Sequence, residues 1–333
     1  MAVDLTTAWA FIIAFAVFAY VVMDGFDLGI GILFPFFEVG VERDQAMNSI
    51  APVWDGNETW LVLGGGGLFA AFPLAYAIVL PATYPLVIAM LLGLVFRGVA
   101  FEFRWRDPGH RKFWDVAFTS GSLVAAMTQG MILGALLQGV EVADRAYAGS
   151  WFDWLTPYTL LTGIGVTVGY ALLGATWLII KVEGRSLDHA YRLARIAFLA
   201  TLLLLVAVSL YTPFLDGHYW ERWFSMPSFI FASQVPLLSA IIAFTLLRAL
   251  SRRWAYLPFL LSLALFLLGM AGLAISMFPF IVPDHITIWD AAAPERSQSF
   301  MLVGTVIIVP IILLYTGWAY WVFRGKVGTD GYH

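Results

Sequence analysis

Between two tryptophans, the run Trp54-Asp55-Gly56-Asn57-Glu58-Thr59-Trp60 holds two carboxylates, an amide and a glycine. Leu61-Val62-Leu63 and four glycines, 64 to 67, follow directly. Asp55 and Glu58 stand three apart, so a helix puts them on one face. On a soluble protein such a motif would belong to the solvated surface. Here it opens a segment apolar enough to enter a bilayer, where every charge is costly and needs a reason. Asp24 and Asp27 interrupt the apolar run before it, and Arg97 and Glu102 close the one after it. Carboxylates gathered in this way can hold and pass protons, or lock helices together through a counter-ion.

The elements that must position them are membrane spans. The chain has 333 residues, 61% hydrophobic and only 12% charged, with a mean hydropathy of +0.84. An ordinary globular domain carries about 25% charged residues, so this composition is that of an all-α polytopic membrane protein. A net charge of −4 argues against nucleic acid as a partner, and the lack of Cys removes disulfides, thiolate metal sites and cysteine nucleophiles. The first apolar run has no basic flank and no small-residue cleavage site, so it reads as a retained helix.

Crossing the hydrocarbon core takes about 20 apolar residues. Nine spans are expected, at 8–34, 52–72, 74–101, 113–139, 155–181, 191–213, 227–248, 255–280 and 299–323, in a single domain over residues 1–333. Basic residues set their orientation. Arg43, then Arg104, Arg106, Arg111 and Lys112, then Lys181, Arg185, Arg192 and Arg195, then Arg248, Arg252 and Arg253, and finally Arg324 and Lys326 fall on one side; only Arg145, Arg222 and Arg296 fall on the other. The alternation predicts nine crossings with a periplasmic N-terminus and a cytoplasmic C-terminus. Tryptophans in the outer connections (Trp151, Trp154, Trp220, Trp223) read as interfacial anchors. Asp284, His285 and Asp290 read as a solvated loop.

With this topology Asp24, Asp27, Asp55, Glu58, Arg97 and Glu102 all fall in the inner layer of the first three spans, so they should face protein or a water-filled cavity. Arg97 can neutralise one or two of the acids, through a bidentate contact. Five acids against one base leaves an excess, and crowded carboxyl groups do not all ionise together, so protons would be held and exchanged there. The competing reading makes Asp24, Asp27 and Arg97 a salt-bridge lock between spans one and three. Gly25 and Gly29, four apart, have the spacing that brings helices close, and glycines 64–67 would do the same for span two or let its backbone deform. Of the histidines, His110, His189, His218, His285 and His333, none is expected within a span. A haem normally takes a His or Met axial ligand, so histidine ligation of a buried haem by this chain is not expected.

Asp24-Gly25-Phe26-Asp27-Leu28-Gly29, then Asn48-Ser49-Ile50-Ala51-Pro52 leading into Trp54 to Trp60, resemble subunit II of cytochrome bd-type quinol oxidases. Phe96-Arg97-Gly98-Val99-Ala100-Phe101-Glu102, Met277-Phe278-Pro279-Phe280, Ile288-Trp289-Asp290-Ala291 and Pro310 to Thr316 match in the same order. The resemblance runs from about residue 15 to 323. It implies a nine-helix subunit in a bacterial inner membrane, paired with a subunit I that carries haems b and d and the quinol site. The complex oxidises quinol, reduces dioxygen to water and takes protons from the cytoplasm. The resemblance assigns proton uptake to Asp55 and to the acid after the F-R-x-V-x-F run, here Glu102, where some relatives carry aspartate. It leaves room for a structural quinone or lipid in this chain and for a small single-helix accessory subunit. The short outer connection 214–226 suggests a compact, cyanide-tolerant variety.

The expected roles are therefore proton transfer at Asp55, Glu102, Glu58, Asp24 and Asp27, with Arg97 as counter-ion. Trp54, Gly56, Asn57 and Trp60 complete the motif, and no cofactor is assigned to this chain. The rival from another class is a stand-alone proton-coupled transporter, which would place polar groups at mid-membrane in two matching halves. Acids confined to one side of three spans favour one-sided uptake.

Overall fold

The computed structural model describes residues 4–328; His333 lies outside them. In chain order the helices are α1 (Leu5–Leu33), α2 (Val41–Asn48), α3 (Trp54–Ala71), α4 (Pro73–Arg106), α5 (Arg111–Gln138), α6 (Pro157–Lys181) and α7 (Gly184–Tyr211). Then follow α8 (Gly217–Phe224), α9 (Ser228–Ala232), α10 (Gln234–Ser251), α11 (Leu257–Met277), α12 (Ile288–Ala291) and α13 (Glu295–Val322). Strand β1 (Val142–Ala143) pairs antiparallel with β2 (Ala146–Tyr147), and β3 (Phe280–Val282) with β4 (Ile286–Thr287).

Among the described residues, eight helices are long and apolar enough to cross a membrane: α1, α4, α5, α6, α7, the α9–α10 pair, α11 and α13. The chain is a multi-pass membrane protein. The segment expected as the second span is helical, as α3, but is not among the eight. Its first turns carry Asp55, Asn57 and Glu58, and four glycines dilute the rest. Other expected bounds shift at their polar ends. Helix α4 runs past Glu102 to Arg106, and α7 starts at Gly184, which carries His189 from an expected connection into a helix. The span expected at 227–248 breaks at Ser233, between α9 and α10.

Local chemistry explains the ends. Asp4 caps α1 by accepting from the Thr7 N–H at 2.6 Å, and Thr156 and Thr159 form a capping box ahead of α6, with Pro157 in its first turn. Asp290, expected in a solvated loop, caps α12 with Thr287.

The most enclosed parts are residues 24–31 of α1 and 169–179 of α6. They are buried against each other because Gly29 and Gly174 let the two backbones touch. A Cβ on Gly29 would fall 1.8 Å from the Tyr170 carbonyl oxygen. Gly93 and Gly121 do the same for α4 and α5, where a Cβ on Gly121 would lie 2.4 Å from the Gly93 oxygen. Helix α3 lies on α1 with Gly64 and Gly67 against Val17 and Ile13, whereas Gly65 and Gly66 meet nothing within 4 Å. The acid-bearing half of α1 is thus enclosed by α3, α5 and α6, and α4 delivers its arginine across α5.

Candidate functional site

Asp24, Asp27 and Arg97 are all fully buried. Arg97 Nη2 lies 2.7 Å from Asp24 Oδ1 and 3.5 Å from Glu58 Oε2. One nitrogen therefore bridges acids from α1 and α3, in place of the expected two-pronged contact, because the arginine enters between two helices. Trp54 covers this guanidinium, its ring centre 5.9 Å away, and stacks on Phe101 at 4.8 Å and 6°. Gly98 faces that indole and leaves it room.

Asp27 has a different partner. Asn57 Nδ2 donates to Asp27 Oδ2 at 2.7 Å and to the Met23 carbonyl at 3.3 Å. Tyr320 Oη, from α13, donates to Asn57 Oδ1 at 2.8 Å. Asn57, expected as a motif or packing residue, is thus a buried bridge among α1, α3 and α13. A third strand of polar contacts starts one turn before Asp24. Gln129 Nε2 donates to Tyr20 Oη at 2.8 Å, and Tyr170 Oη donates to Gln129 Oε1 at 2.8 Å. The Tyr20 hydroxyl hydrogen is left to donate elsewhere on its helix face, which Asp24 shares four residues on. Gly25 fits this arrangement, since a Cβ there would lie 2.8 Å from the Tyr170 ring. Asp27 Oδ1, Arg97 Nε and Arg97 Nη1 are buried with no hydrogen-bond partner among the described residues.

Of the residues expected to act together, the structure unites Asp24, Asp27, Glu58 and Arg97. Asp55 is exposed on α3, one turn ahead of half-buried Glu58. Glu102 does not reach the cluster: it is exposed and pairs with Arg106 at 3.3 Å, one turn on. Gly56 faces open space. Trp60 is core, packed with Ala16, Ala19 and Tyr20 between α1 and α3.

Sequence reasoning missed Tyr20, Gln129, Tyr170 and Tyr320. A lone amide in the Ala125-to-Gly134 stretch of small and apolar residues was the available signal, because an unpaired amide in lipid is costly. It also missed a second ionic layer around α2. Asp115 accepts from Arg104 Nε at 2.5 Å and Arg43 Nη1 at 2.7 Å, and Asp44 from Arg104 Nη1 at 2.8 Å and Arg111 Nη2 at 2.5 Å. Arg43 and Arg104 each sit 5.4 Å from the Phe34 ring centre. His189 Nδ1 lies 3.1 Å from Glu42 Oε2. Burial opposes the Glu42 charge, but the Glu38 N–H and His189 outweigh it and hold this carboxyl below its usual range. His189 is committed there, edge-on to Phe37. His110, His218 and His285 lie outside the long helices, as expected.

A family profile described as "Cytochrome bd terminal oxidase subunit II" matches residues 5–323. The chain belongs to this family. It is 33% identical to the cytochrome bd-I ubiquinol oxidase subunit 2 of Escherichia coli K12, over 96% of this chain and 94% of that one. The cytochrome bd ubiquinol oxidase subunit 2 of Bacillus subtilis is 28% identical, over 96% of each chain. Among solved structures, the bd oxidase of Geobacillus thermodenitrificans shares the fold. Its TM-score is 0.77 at 18% identity, over 96% of this chain and 99% of that one. The polar layer described above therefore belongs to a subunit of a bd-type quinol oxidase, within a terminal oxidase complex of the respiratory chain.

Proposed function

We propose that this chain is the haem-free subunit II of a bd-type quinol:dioxygen oxidoreductase in a bacterial inner membrane, and that it supplies protons and stabilises a haem-bearing subunit I. The observation that supports it best is the convergence of Asp24 and Glu58 on one buried guanidinium, with buried Asp27 one turn on from Asp24 and held by Asn57. In this reading the single domain crosses the membrane nine times, α3 included, with its N-terminus periplasmic and its C-terminus cytoplasmic. An α3 that is too polar for lipid then lies against the partner subunit, and exposed Asp55 is the outer member of a file leading through Glu58 to the buried pair.

Asp55 takes up the proton, Glu58 is the inlet beside it, and Asp24 and Asp27 are relay or lock residues with Arg97 as counter-ion. Buried polar atoms without protein partners, as at Asp27 Oδ1 and Arg97 Nε, are the kind that ordered water serves. Glu102, turned outward beside Arg106, would act in a separate surface contact of the same uptake path. The haems, the quinol site and oxygen reduction belong to the partner.

The test is Asp55→Asn in assembled complex with normal haem content. Oxygen reduction should slow, and reduction at the parental rate would remove Asp55 from the path. Asp27→Asn separates the two roles of the buried pair, since loss of assembly marks a lock and slow turnover in intact complex marks a relay. A haem-bearing partner copurifying with the chain is expected here, whereas a stand-alone transporter would come alone.

A further inference from the structure

A cleft between α7 and the turn joining α10 to α11 takes no part in the carboxylate cluster. It encloses about 360 Å³ and is lined by Asp188, Tyr191, Arg192, Arg195, Ile196 and Arg253. Three guanidinium groups face one carboxylate there. Asp188 is committed to Arg253, and Arg195 Nη2 donates to the Leu250 carbonyl at 3.1 Å, near the C-terminus of α10. Arg192 makes no hydrogen bond or ion pair among the described residues.

Arg253 closes α10 in the left-handed region, at φ 57°, while the Trp254 N–H reaches back to Ala249 O at 3.0 Å. Glycine takes that capping position at least cost, so an arginine there is placed for its side chain. Its guanidinium lies 4.7 Å from the Tyr191 ring centre, on the cleft wall. Arg252 lies over Trp254, and both Trp254 and Tyr256 are exposed beside the cleft, as aromatic residues are at a membrane interface. From the cleft the same face of α7 becomes apolar. Ile196, Leu199, Leu203 and Val206 recur at helical spacing and are all exposed. A basic recess at the end of an apolar track has the shape and charge of a phospholipid's two parts.

We propose that this cleft binds the phosphate of an anionic phospholipid, with its acyl chains lying along Ile196, Leu199 and Leu203 of α7. Arg192 and Arg195 carry the headgroup, Arg253 closes the recess, and Asp188 restrains it by holding Arg253. The proposal does not depend on the proton path.

The assembled complex, purified in detergent and stripped of lipid, is titrated with phosphatidylglycerol, with phosphatidylcholine of the same chains, and with inorganic phosphate. Native mass spectrometry counts the adducts. One phosphatidylglycerol should bind in preference to phosphatidylcholine. Each arginine removed in Arg192→Gln and Arg195→Gln should weaken that binding about fivefold. Asp188→Asn, which releases the Arg253 charge, should strengthen it, and this variant of opposite sign keeps the test decisive if the arginine variants assemble poorly. Unchanged phosphatidylglycerol binding in both kinds of variant, or equal binding of phosphatidylcholine, would overturn the proposal. So would displacement by millimolar inorganic phosphate, which would mark a site for a free anion.

Discussion

Arg97→Gln is the perturbation with the largest calculable effect. It leaves the Asp24 carboxylate in place at full burial and removes the one cation that pairs with it among the described residues, 2.7 Å away. With charge centres about 4 Å apart and an effective dielectric of about 20, the lost attraction is about 4 kcal/mol. Removing one partner of a buried pair costs about 3–5 kcal/mol in measured cases, so the two routes agree. Glu58 adds little, because its contact is 3.5 Å and its side chain is 27% exposed. Asp24→Asn should cost less, about 2 kcal/mol, since Arg97 keeps Glu58 as a partner. The double variant Arg97→Gln/Asp24→Asn should then be more stable than Arg97→Gln alone by about 2 kcal/mol, because no unpaired carboxylate remains at position 24. Denaturation midpoints of the purified complex, followed by tryptophan fluorescence, give all four corners of the cycle. Additive losses, or an Arg97→Gln complex as stable as the parent, would refute the reasoning that this guanidinium is an essential counter-ion.

Gly29→Ala should cost about 1–3 kcal/mol or prevent assembly, because the new methyl meets the Tyr170 carbonyl oxygen at 1.8 Å. Gly65→Ala, with open space at its Cβ, should be neutral or stabilising by up to about 1 kcal/mol; complex yield and melting temperature compare the pair. Tyr320→Phe removes the donor to Asn57 Oδ1 and should lower stability by about 1 kcal/mol, read from the same melting curves. Glu42, whose carboxyl is held below its usual range by the Glu38 N–H and His189, contributes stability that is present above the ordinary carboxylate range and lost as pH falls through the depressed value. Glu42→Gln should therefore lower stability at neutral pH and flatten its decline in acid, measured as melting temperature against pH.

The fold was legible wherever a segment was uniformly apolar. The eight helices competent to cross a membrane all fall where hydropathy put a span. Errors collected at polar ends, where helix formation continues after hydropathy has faded: α4 continues through Glu102 and Arg104, and α7 begins among Arg185, Asp188 and His189. Helix α2 went unread, because eight residues with three charges carry no apolar stripe long enough to notice. In the site, Asp24, Asp27, Glu58 and Arg97 could be grouped from depth alone. Depth says nothing about the direction a side chain takes around its helix, so Glu102 was grouped with them and lies outside. Tyr20, Gln129, Tyr170 and Tyr320 went unread for the same reason in reverse. A tyrosine in an apolar run looks like packing until its hydroxyl is seen to have a partner.

The two buried aspartates share a helix and one turn of depth, yet they are served by different chemistry. Asp24 faces a fixed charge, and Tyr20, one turn earlier on the same helix face, belongs to a neutral network with Gln129 and Tyr170. Asp27 meets no arginine within ion-pair distance; its contact is an amide whose orientation is set from both ends. Because Tyr320 donates to Asn57 Oδ1, the amide cannot flip without losing that bond and its own two donations, to Asp27 and to Met23. Asn57 thus offers Asp27 a permanent donor at Oδ2 and leaves Oδ1 the freer of its two oxygens. A carboxyl held by a guanidinium is suited to stay charged and bind helices together, whereas one held by a neutral amide can gain or lose a proton without breaking an ion pair. On the proposed proton path, the lock and the relay would then be the same two residues with divided duties, Asp24 binding α1 to α4 and Asp27 handling the proton. Asp24→Asn should accordingly impair assembly more than turnover, and Asp27→Asn turnover more than assembly; the reverse pattern, in haem content and oxygen consumption of the two purified complexes, would exchange the assignments.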